Sequence, residues 1–106
     1  MISVQYDREG ISVSVEGHAD YVQEGKDPVC AAATILFYTL AENVQMLIRR
    51  FGGNGGDDLE KGNGGIWYNA WGNVDADAAR EVFDAICIGF EQLAGKYPEC
   101  IQHEEI

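Results

Sequence analysis

Apolar and polar residues alternate in two short segments at the start of the chain. Every second position is apolar in residues 1–6 and again in residues 11–17. A period of two is typical of a β-strand with one buried face. Residues 7–10 separate the two segments and predict a turn, in which Gly10 supplies the unusual backbone angle. The pattern therefore predicts an N-terminal β-hairpin, whose inward-facing residues are Ile2, Val4, Tyr6, Ile11, Val13 and Val15.

The longest predicted element is a helix from Pro28 to about Phe51. Asp27 is a suitable N-cap, proline is favoured at the first helical position, and Gly52 is a suitable end. From Val29 to Ala41 this helix is apolar on nearly every side. A helix that packs on a sheet needs only one apolar stripe. We therefore expect a second helix and a contact with another subunit to cover the remainder.

The middle of the chain predicts a second hairpin. The aromatic-rich residues 66–71 alternate and predict a strand, joined by a glycine-rich turn at 62–65 to a short strand at 57–61. Residues 52–56 are mostly glycine and are expected to be a connector. One face of the aromatic strand should meet the helices. The other is either further core or a platform for a substrate side chain or a partner. The residues that share one face are Trp67, Asn69 and Trp71; those that share the other are Ile66, Tyr68 and Ala70.

The last third of the chain completes the order of elements. Asp75 is expected to cap a helix over residues 76–95, where apolar residues recur at helical spacing. Residues 99–105 predict a last strand. The order β-β-α-β-β-α-β predicts an α+β fold with two layers, a mostly antiparallel sheet packed by two helices. Since 106 residues suffice for one such core, residues 1–106 are interpreted as a single domain. The strand order does not follow from the pattern.

The charge of the chain excludes some partners. Its net charge is −11, from 18 acidic and 7 basic residues. Such a chain repels nucleic-acid phosphates and anionic membranes, so we expect neither as a partner. Two interpretations of the acidity remain open: it attracts a basic protein or peptide, or it only keeps a small protein soluble. No apolar segment approaches about 18 residues free of polar side chains, so no membrane span is expected. The N-terminus lacks the pattern of a signal peptide.

Three cysteines are present, and their number and spacing argue against a disulfide framework or a structural zinc site. An odd number without a Cys-x-x-Cys pair predicts no disulfide framework and fits a reducing cytoplasm. Too few ligands are grouped for a zinc site, and no metal or other cofactor is predicted. Cys87 is expected to be a small buried apolar residue. A pairing of Cys100 or His103 with the candidate site described next remains open.

Cys30 and His18 form the candidate site. Cys30 falls in the first turn of the predicted helix, where free backbone N–H groups and the helix dipole favour a negative charge. A free thiol has a pKa of about 8.5, which a helix N-terminus lowers. His18 follows the second strand, and the loop over residues 19–26, with Gly25 as its hinge, is long enough to bring the imidazole to the thiol. The pair predicts a nucleophilic cysteine with a histidine base.

The same residues carry a resemblance to a known family. Residues 17–19 are Gly-His-Ala, and residues 25–32 are Gly-x-Asp-x-Val-Cys-Ala-Ala. This pattern resembles the ribosomal-processing cysteine protease family, Prp. The length and the order of elements also fit, so the resemblance covers nearly the whole chain.

The resemblance implies roles for four residues. Cys30 would be the nucleophile and His18 its base, with Asp27 and Thr34 in support. Asp27 could orient His18 or cap the helix, and the two roles are compatible. Thr34 stands where serine is usual and keeps the hydroxyl. Pro28 stands where an aliphatic residue is usual, so the shape beside the thiol differs from the family pattern.

The function that the resemblance implies is peptide cleavage. Such an enzyme removes an N-terminal extension from a large-subunit ribosomal protein, after an aromatic residue, and relatives act on phage structural proteins. The family is usually dimeric, so a homodimer is also implied. Two alternatives remain open: a non-catalytic peptide- or protein-binding module on the same fold, and a thiol-dependent redox or acyl-transfer protein, against which the lack of a resolving cysteine argues. The loop residues expected to contact the substrate are Ala19, Asp20, Tyr21, Val22 and Gly25.

Overall fold

Seven elements follow one another in the predicted order. The structure is a computed structural model and describes residues 1–17, 28–60 and 63–106. The elements are β1 (Ile2–Asp7), β2 (Ser12–Glu16), α1 (Pro28–Phe51), β3 (Asn54–Asp57), β4 (Gly64–Asn69), α2 (Asn73–Lys96) and β5 (Ile101–Glu105).

The five strands form one sheet in the order β3-β4-β2-β1-β5. All neighbouring strands are antiparallel except β1 and β5, which are parallel. The predicted α+β fold and its mostly antiparallel sheet are therefore confirmed. One face of the sheet is apolar and buried beneath the helices, as the alternating pattern predicted; its residues include Ile2, Val4, Tyr6, Val13, Val15, Ile66, Tyr68 and Ile101.

The bounds predicted for α1 are confirmed, because proline and glycine mark its two ends. Gly52 follows the helix with a φ of 87°, in the left-handed region that favours glycine. One stripe of α1 is buried in the core, formed by Val29, Ala33, Phe37, Leu40, Val44 and Leu47. Where α1 crosses α2, a Cβ on Gly89 would come within 2.8 Å of Leu36 Cδ2, so this glycine lets the helices approach closely.

Helix α1 bears on the expectation that no segment spans a membrane. By length and composition α1 is apolar enough to cross a membrane, a weak criterion that the core helices of soluble proteins also meet. The buried stripe of α1 packs against the sheet and α2, as in a core helix.

Two predictions in the second half of the chain are wrong in position. The strand expected at 57–61 lies at Asn54–Asp57, within the glycine-rich segment that was expected to be a connector. Here glycine is required by close packing, since a Cβ on Gly55 would lie 2.5 Å from Trp67 O and 2.8 Å from Val44 Cγ1. The helix expected to start after Asp75 starts at Asn73, with Gly72 as its N-cap.

The β1–β2 turn also differs in detail. The positive φ belongs to Ile11, at 54°, and not to Gly10. Gly10 instead lies close to the Asp7 carboxylate: its N–H donates to Asp7 Oδ1 at 2.9 Å, and a Cβ would require that side chain to shift. Next to this turn, Asp84 on α2 accepts hydrogen bonds from Tyr6 at 2.7 Å and from Arg8 at 3.0 Å, which ties the hairpin to the helix layer.

Candidate active site

Cys30 is the third residue of α1 and lies in its first turn. The side chain is half-buried and packs against the apolar core beside Val29, which is buried. The first turn of α1 contains no acidic residue. That the backbone N–H groups of this turn favour a thiolate at Cys30 stays a prediction.

The position of this turn follows from the direction of α1. At the end of α1 the ring of Trp71 lies over Gly52, beside the end of β4. We call this side of the molecule the far end. A helix of 24 residues is about 36 Å long, so its first turn lies toward the opposite side, where β2 ends at Glu16 and β4 begins at Gly64. We call that side the site end.

Thr34 shares a face of α1 with Cys30. Residues four apart on a helix lie one above the other, and Thr34, like Cys30, is half-buried next to the buried stripe of α1. The two side chains predicted to act together at this helix terminus are therefore placed on one side of it.

Gly17 determines how the chain leaves β2 before His18. Its φ is 94°, and a Cβ would collide with the carbonyl oxygen of Met1, so no other residue fits without strain. Its N–H donates to Asn63 Oδ1 at 2.9 Å. Asn63 thus fixes the residue that precedes the predicted base. Sequence reasoning missed this role, since an asparagine among glycines simply indicates a turn.

The other predicted site residues lie outside the described part of the chain. These are His18, Ala19, Asp20, Tyr21, Val22, Gly25 and Asp27. The predictions about the imidazole, the loop and the N-cap of α1 therefore stay predictions.

Cys87 and His103 belong to other environments. The three cysteines form no disulfide. Cys87 is buried, as expected, and burial raises the pKa of its thiol to about 12. His103 packs against α2, with its ring stacked on Phe90 at 6.5 Å and its Nδ1 3.9 Å from a carboxylate oxygen of Glu91. Burial lowers the pKa of this imidazole.

No metal site accompanies the candidate residues in the described ranges. Across residues 1–17, 28–60 and 63–106, no three histidine, cysteine or acidic side chains are grouped closely enough to hold an ion.

The two tryptophans of the predicted platform lie apart. Trp67 is on the sheet face away from the helices, opposite Ser12 on β2, and is half-buried. Trp71 lies beyond the end of β4 and is 78% exposed. The predicted face of Trp67, Asn69 and Trp71 on one strand is therefore not formed, because β4 ends at Asn69 and Trp71 lies outside it.

Comparison with known proteins identifies the family. The family model described as cysteine protease Prp matches residues 1–102. The chain belongs to the Prp family. It is accordingly a cysteine protease, and the predicted family and enzyme class are confirmed. No curated protein is significantly similar to the chain in sequence.

Solved structures share this Prp fold over the whole chain. SMU.848 from Streptococcus mutans is 25% identical, with a TM-score of 0.74 over 100% of this chain and 94% of the other. The ribosomal processing protease Prp from S. aureus with a substrate peptide is 20% identical, with a TM-score of 0.72 over 100% of both chains. The same S. aureus protease with a covalently linked product peptide is 19% identical, with a TM-score of 0.73 over 99% and 97%. The two S. aureus comparisons show the fold alone.

Proposed function

We propose that this Prp-family protease is an endopeptidase that removes an N-terminal extension from a large-subunit ribosomal protein or a related phage structural protein. The observation that carries the proposal is the position of Cys30 in the first turn of α1, in a chain whose family is that of cysteine protease Prp. The solved S. aureus protein of the same fold is a ribosomal processing protease in complex with a substrate peptide, which supports the substrate class.

In this proposal Cys30 is the nucleophile and His18 is the base. His18 takes the thiol proton, and the thiolate attacks the carbonyl carbon of the scissile peptide bond. Backbone N–H groups at the start of α1 stabilise the oxyanion. The imidazolium gives its proton to the leaving amine, and the peptide bond breaks to leave a thioester. Water hydrolyses the thioester, with His18 again as base, and the free thiol returns.

The supporting residues act on this pair. Asp27 caps α1 or orients the imidazole. The hydroxyl of Thr34, one turn after Cys30, donates to a group in the site or bonds back to the helix backbone. The loop residues Ala19, Asp20, Tyr21, Val22 and Gly25 contact the substrate.

The wider setting is proposed on the same basis. Residues 1–106 form one protease domain that acts in the cytoplasm, without a cofactor and without direct contact with nucleic acid or membrane. A homodimer covers the exposed apolar side of the helix layer, where Ile35 is 65% and Tyr38 is 60% exposed.

Mass spectrometry of a cleavage reaction tests the proposal. The protein is mixed with a ribosomal precursor that carries its N-terminal extension. Wild type should release one N-terminal fragment and Cys30→Ala none, while Cys100→Ala, the matched control, should cut normally. A Cys30→Ala variant with full activity would rule out the proposed nucleophile. No cut, with the precursor bound by wild type and Cys30→Ala alike, would instead favour the binding module.

Alkylation by iodoacetamide tests the base separately. If His18 holds the thiol proton, His18→Ala should shift the pH profile of Cys30 alkylation to higher pH and reduce cleavage by orders of magnitude. An unchanged profile together with an unchanged rate would remove His18 from the mechanism.

A further inference from the structure

The outer face of the sheet, opposite the helices, contains a shallow trough. Its volume is about 380 Å³. Ten residues of β1, β2, β5, the first residue of β4 and the position just before it line the trough; they are Ser3, Val4, Gln5, Ser14, Val15, Glu16, Asn63, Gly64, Gln102 and Glu104. Val4 and Val15 contribute backbone, since their side chains are buried on the other face. We propose that this outer trough is a second substrate-binding site, which holds an extended lysine- or arginine-rich segment of the protein to be cut. This inference rests on the proposed function.

The shape of the outer trough follows from the strand register. Ser3 and Ser14 are small side chains on the two central strands. Longer side chains stand beside them, since Gln102 lies opposite Ser3 and Glu104 lies opposite Gln5. Small residues in the middle of a sheet with longer ones at its edge leave a groove wide enough for an extended chain.

The two carboxylates of the outer trough are spaced to suit such a chain. Glu16 is opposite Ser3 on one side of β1, and Glu104 is opposite Gln5 on the other. They are thus two strands apart and two residues apart along the strand direction, which corresponds to about 12 Å. In an extended peptide, residues i and i+4 are on the same side and about 13 Å apart. Cations four residues apart would therefore meet both carboxylates.

Charge complementarity supports a basic occupant. Among the described residues that share the outer face, three are acidic and none is lysine or arginine; the set is Ser3, Gln5, Asp7, Ser12, Ser14, Glu16, Asn54, Gly56, Gly65, Trp67, Asn69, Gln102 and Glu104. The side-chain amide of Gln102 donates a hydrogen bond to Ser3 Oγ at 2.8 Å, within the same face. Proteins that bind ribosomal RNA neutralise its phosphates with lysine and arginine, so a ribosomal substrate supplies the required cations.

The outer trough is continuous with the site end. Glu16 is followed directly by Gly17 and the predicted base His18. Asn63 lines the trough and also accepts the hydrogen bond from Gly17. A substrate segment bound in the trough therefore leads to the end of the sheet where cleavage is proposed, and it would contribute to affinity without contact with the scissile bond.

Paired peptides test the proposal. One peptide contains only the cleavage sequence established with the precursor, and the other adds a tail with a lysine at every fourth position. The tail should improve kcat/KM of the wild type by about threefold to tenfold, mainly through KM. The double variant Glu16→Gln/Glu104→Gln should lose most of this gain. The gain is a ratio within each enzyme, so it does not depend on the variant's basal rate.

A charge-matched control excludes a general effect. Glu42→Gln/Glu81→Gln changes two exposed helix residues and alters the net charge equally, from −11 to −9. It should keep the full gain from the tail. An equal loss in both double variants, or the same gain with lysines at every third position, would overturn the trough as a specific site.

A binding measurement separates this inference from the proposed function. The fluorescein-labelled tail alone, with no cleavage sequence, should bind the wild type in fluorescence anisotropy at low salt and bind Glu16→Gln/Glu104→Gln at least threefold more weakly. If no peptide is cut but this difference is found, the proposed function fails and the outer trough stands only as a binding site for a basic segment. If peptides are cut but the tail changes neither kcat/KM nor binding, the outer trough fails.

Discussion

The two ends of the sheet position their connecting segments by different means. At the far end, Asp75 is buried and accepts hydrogen bonds from the N–H of Trp71 at 2.8 Å, the N–H of Gly72 at 2.9 Å and the hydroxyl of Tyr68 at 3.0 Å. At the site end, the N–H of Gly17 donates to the exposed side chain of Asn63 at 2.9 Å. A buried charged acceptor with three donors is far costlier to remove than an exposed amide.

The comparison indicates which end of the sheet contributes more to the stability of the fold. The far end joins β4 to α2 and has no proposed role in cleavage, and its polar groups are satisfied internally. The site end precedes the predicted base, where an exposed contact can be remade as substrate arrives. Stability and function are thus assigned to opposite ends of the same sheet.

The largest effect is expected from Asp75→Ala. It leaves the N–H groups of Trp71 and Gly72 without their acceptor, while the Tyr68 hydroxyl keeps the Gly52 carbonyl at 2.8 Å, so we expect the melting temperature to fall by about 10 °C in calorimetry. Asp77→Ala, at an exposed position of the same helix, is the control and should change it by no more than about 2 °C. Equal effects of the two variants would contradict the assignment of stability to the far end.

The same carboxylate gives a pH dependence. The N–H of Trp71 holds the pKa of Asp75 below its ordinary value of 3.8. A carboxyl whose pKa is lower in the folded state stabilises the fold above its unfolded pKa and loses that contribution as the pH falls through its folded pKa. Wild type should therefore melt at a higher temperature than Asp75→Ala at neutral pH, and this difference in melting temperature should become smaller as the pH falls below 3.8.

A smaller effect is expected from Gly52→Ala, also at the far end. A Cβ there would collide with the Trp71 ring, and the φ of 87° is strained for alanine. The free energy of unfolding should fall by about 1.5 kcal/mol in urea denaturation. Gly95→Ala is the matched control, since a Cβ on Gly95 meets no atom within 4 Å, and it should stabilise α2 by about 0.5 kcal/mol. A Gly52→Ala variant as stable as Gly95→Ala would show that the Trp71 contact is not tight.

The smallest effect on stability is expected from Asn63→Ala at the site end. An exposed hydrogen bond is lost, so unfolding should become easier by no more than about 1 kcal/mol. Cleavage should nevertheless fall about tenfold in kcat/KM, because Gly17 no longer fixes the direction of the chain before His18. Asn54→Ala, an exposed asparagine on β3, provides the comparison and should leave cleavage intact. Normal cleavage by Asn63→Ala would show that the hydrogen bond between Gly17 and Asn63 does not contribute to the proposed site.

The elements were predictable where local sequence chemistry decides them. Pro28 and Gly52 bracket α1, and the alternation in β1 and β2 survives in the fold, because burial of one face dictates it. The strand at Asn54–Asp57 was missed because its glycines show no alternation; of the two, Gly55 is required by close packing. Asp75 is an apt N-cap type, yet the helix starts earlier with Gly72 in an extended conformation, which leaves the carboxylate to bond back to the preceding N–H groups.

The strand order and the site were predictable to a lesser degree. The pairing of β1 with β5 joins residues about a hundred positions apart, and no local pattern encodes it. Cys30 and Thr34 could be placed on one face of α1 from the helical period alone. The hydrogen bond from Gly17 to Asn63 had no sequence signal, since it connects two turns 46 residues apart.

The parallel pairing of β1 with β5 also has a consequence for how the chain folds. The antiparallel hairpin β1–β2 can form from the first residues of the chain alone. Strand β5, in contrast, adds to the outer edge of β1 only after the residues of both helices have been synthesised. Contacts of such long sequence separation close slowly, since much of the chain must be ordered first. Until residues 101–105 have been synthesised, the edge of β1 is unpaired and the core below α2 lacks Ile101. Productive folding therefore depends on the last strand to emerge, and premature release of a truncated chain would leave an exposed strand edge prone to aggregation.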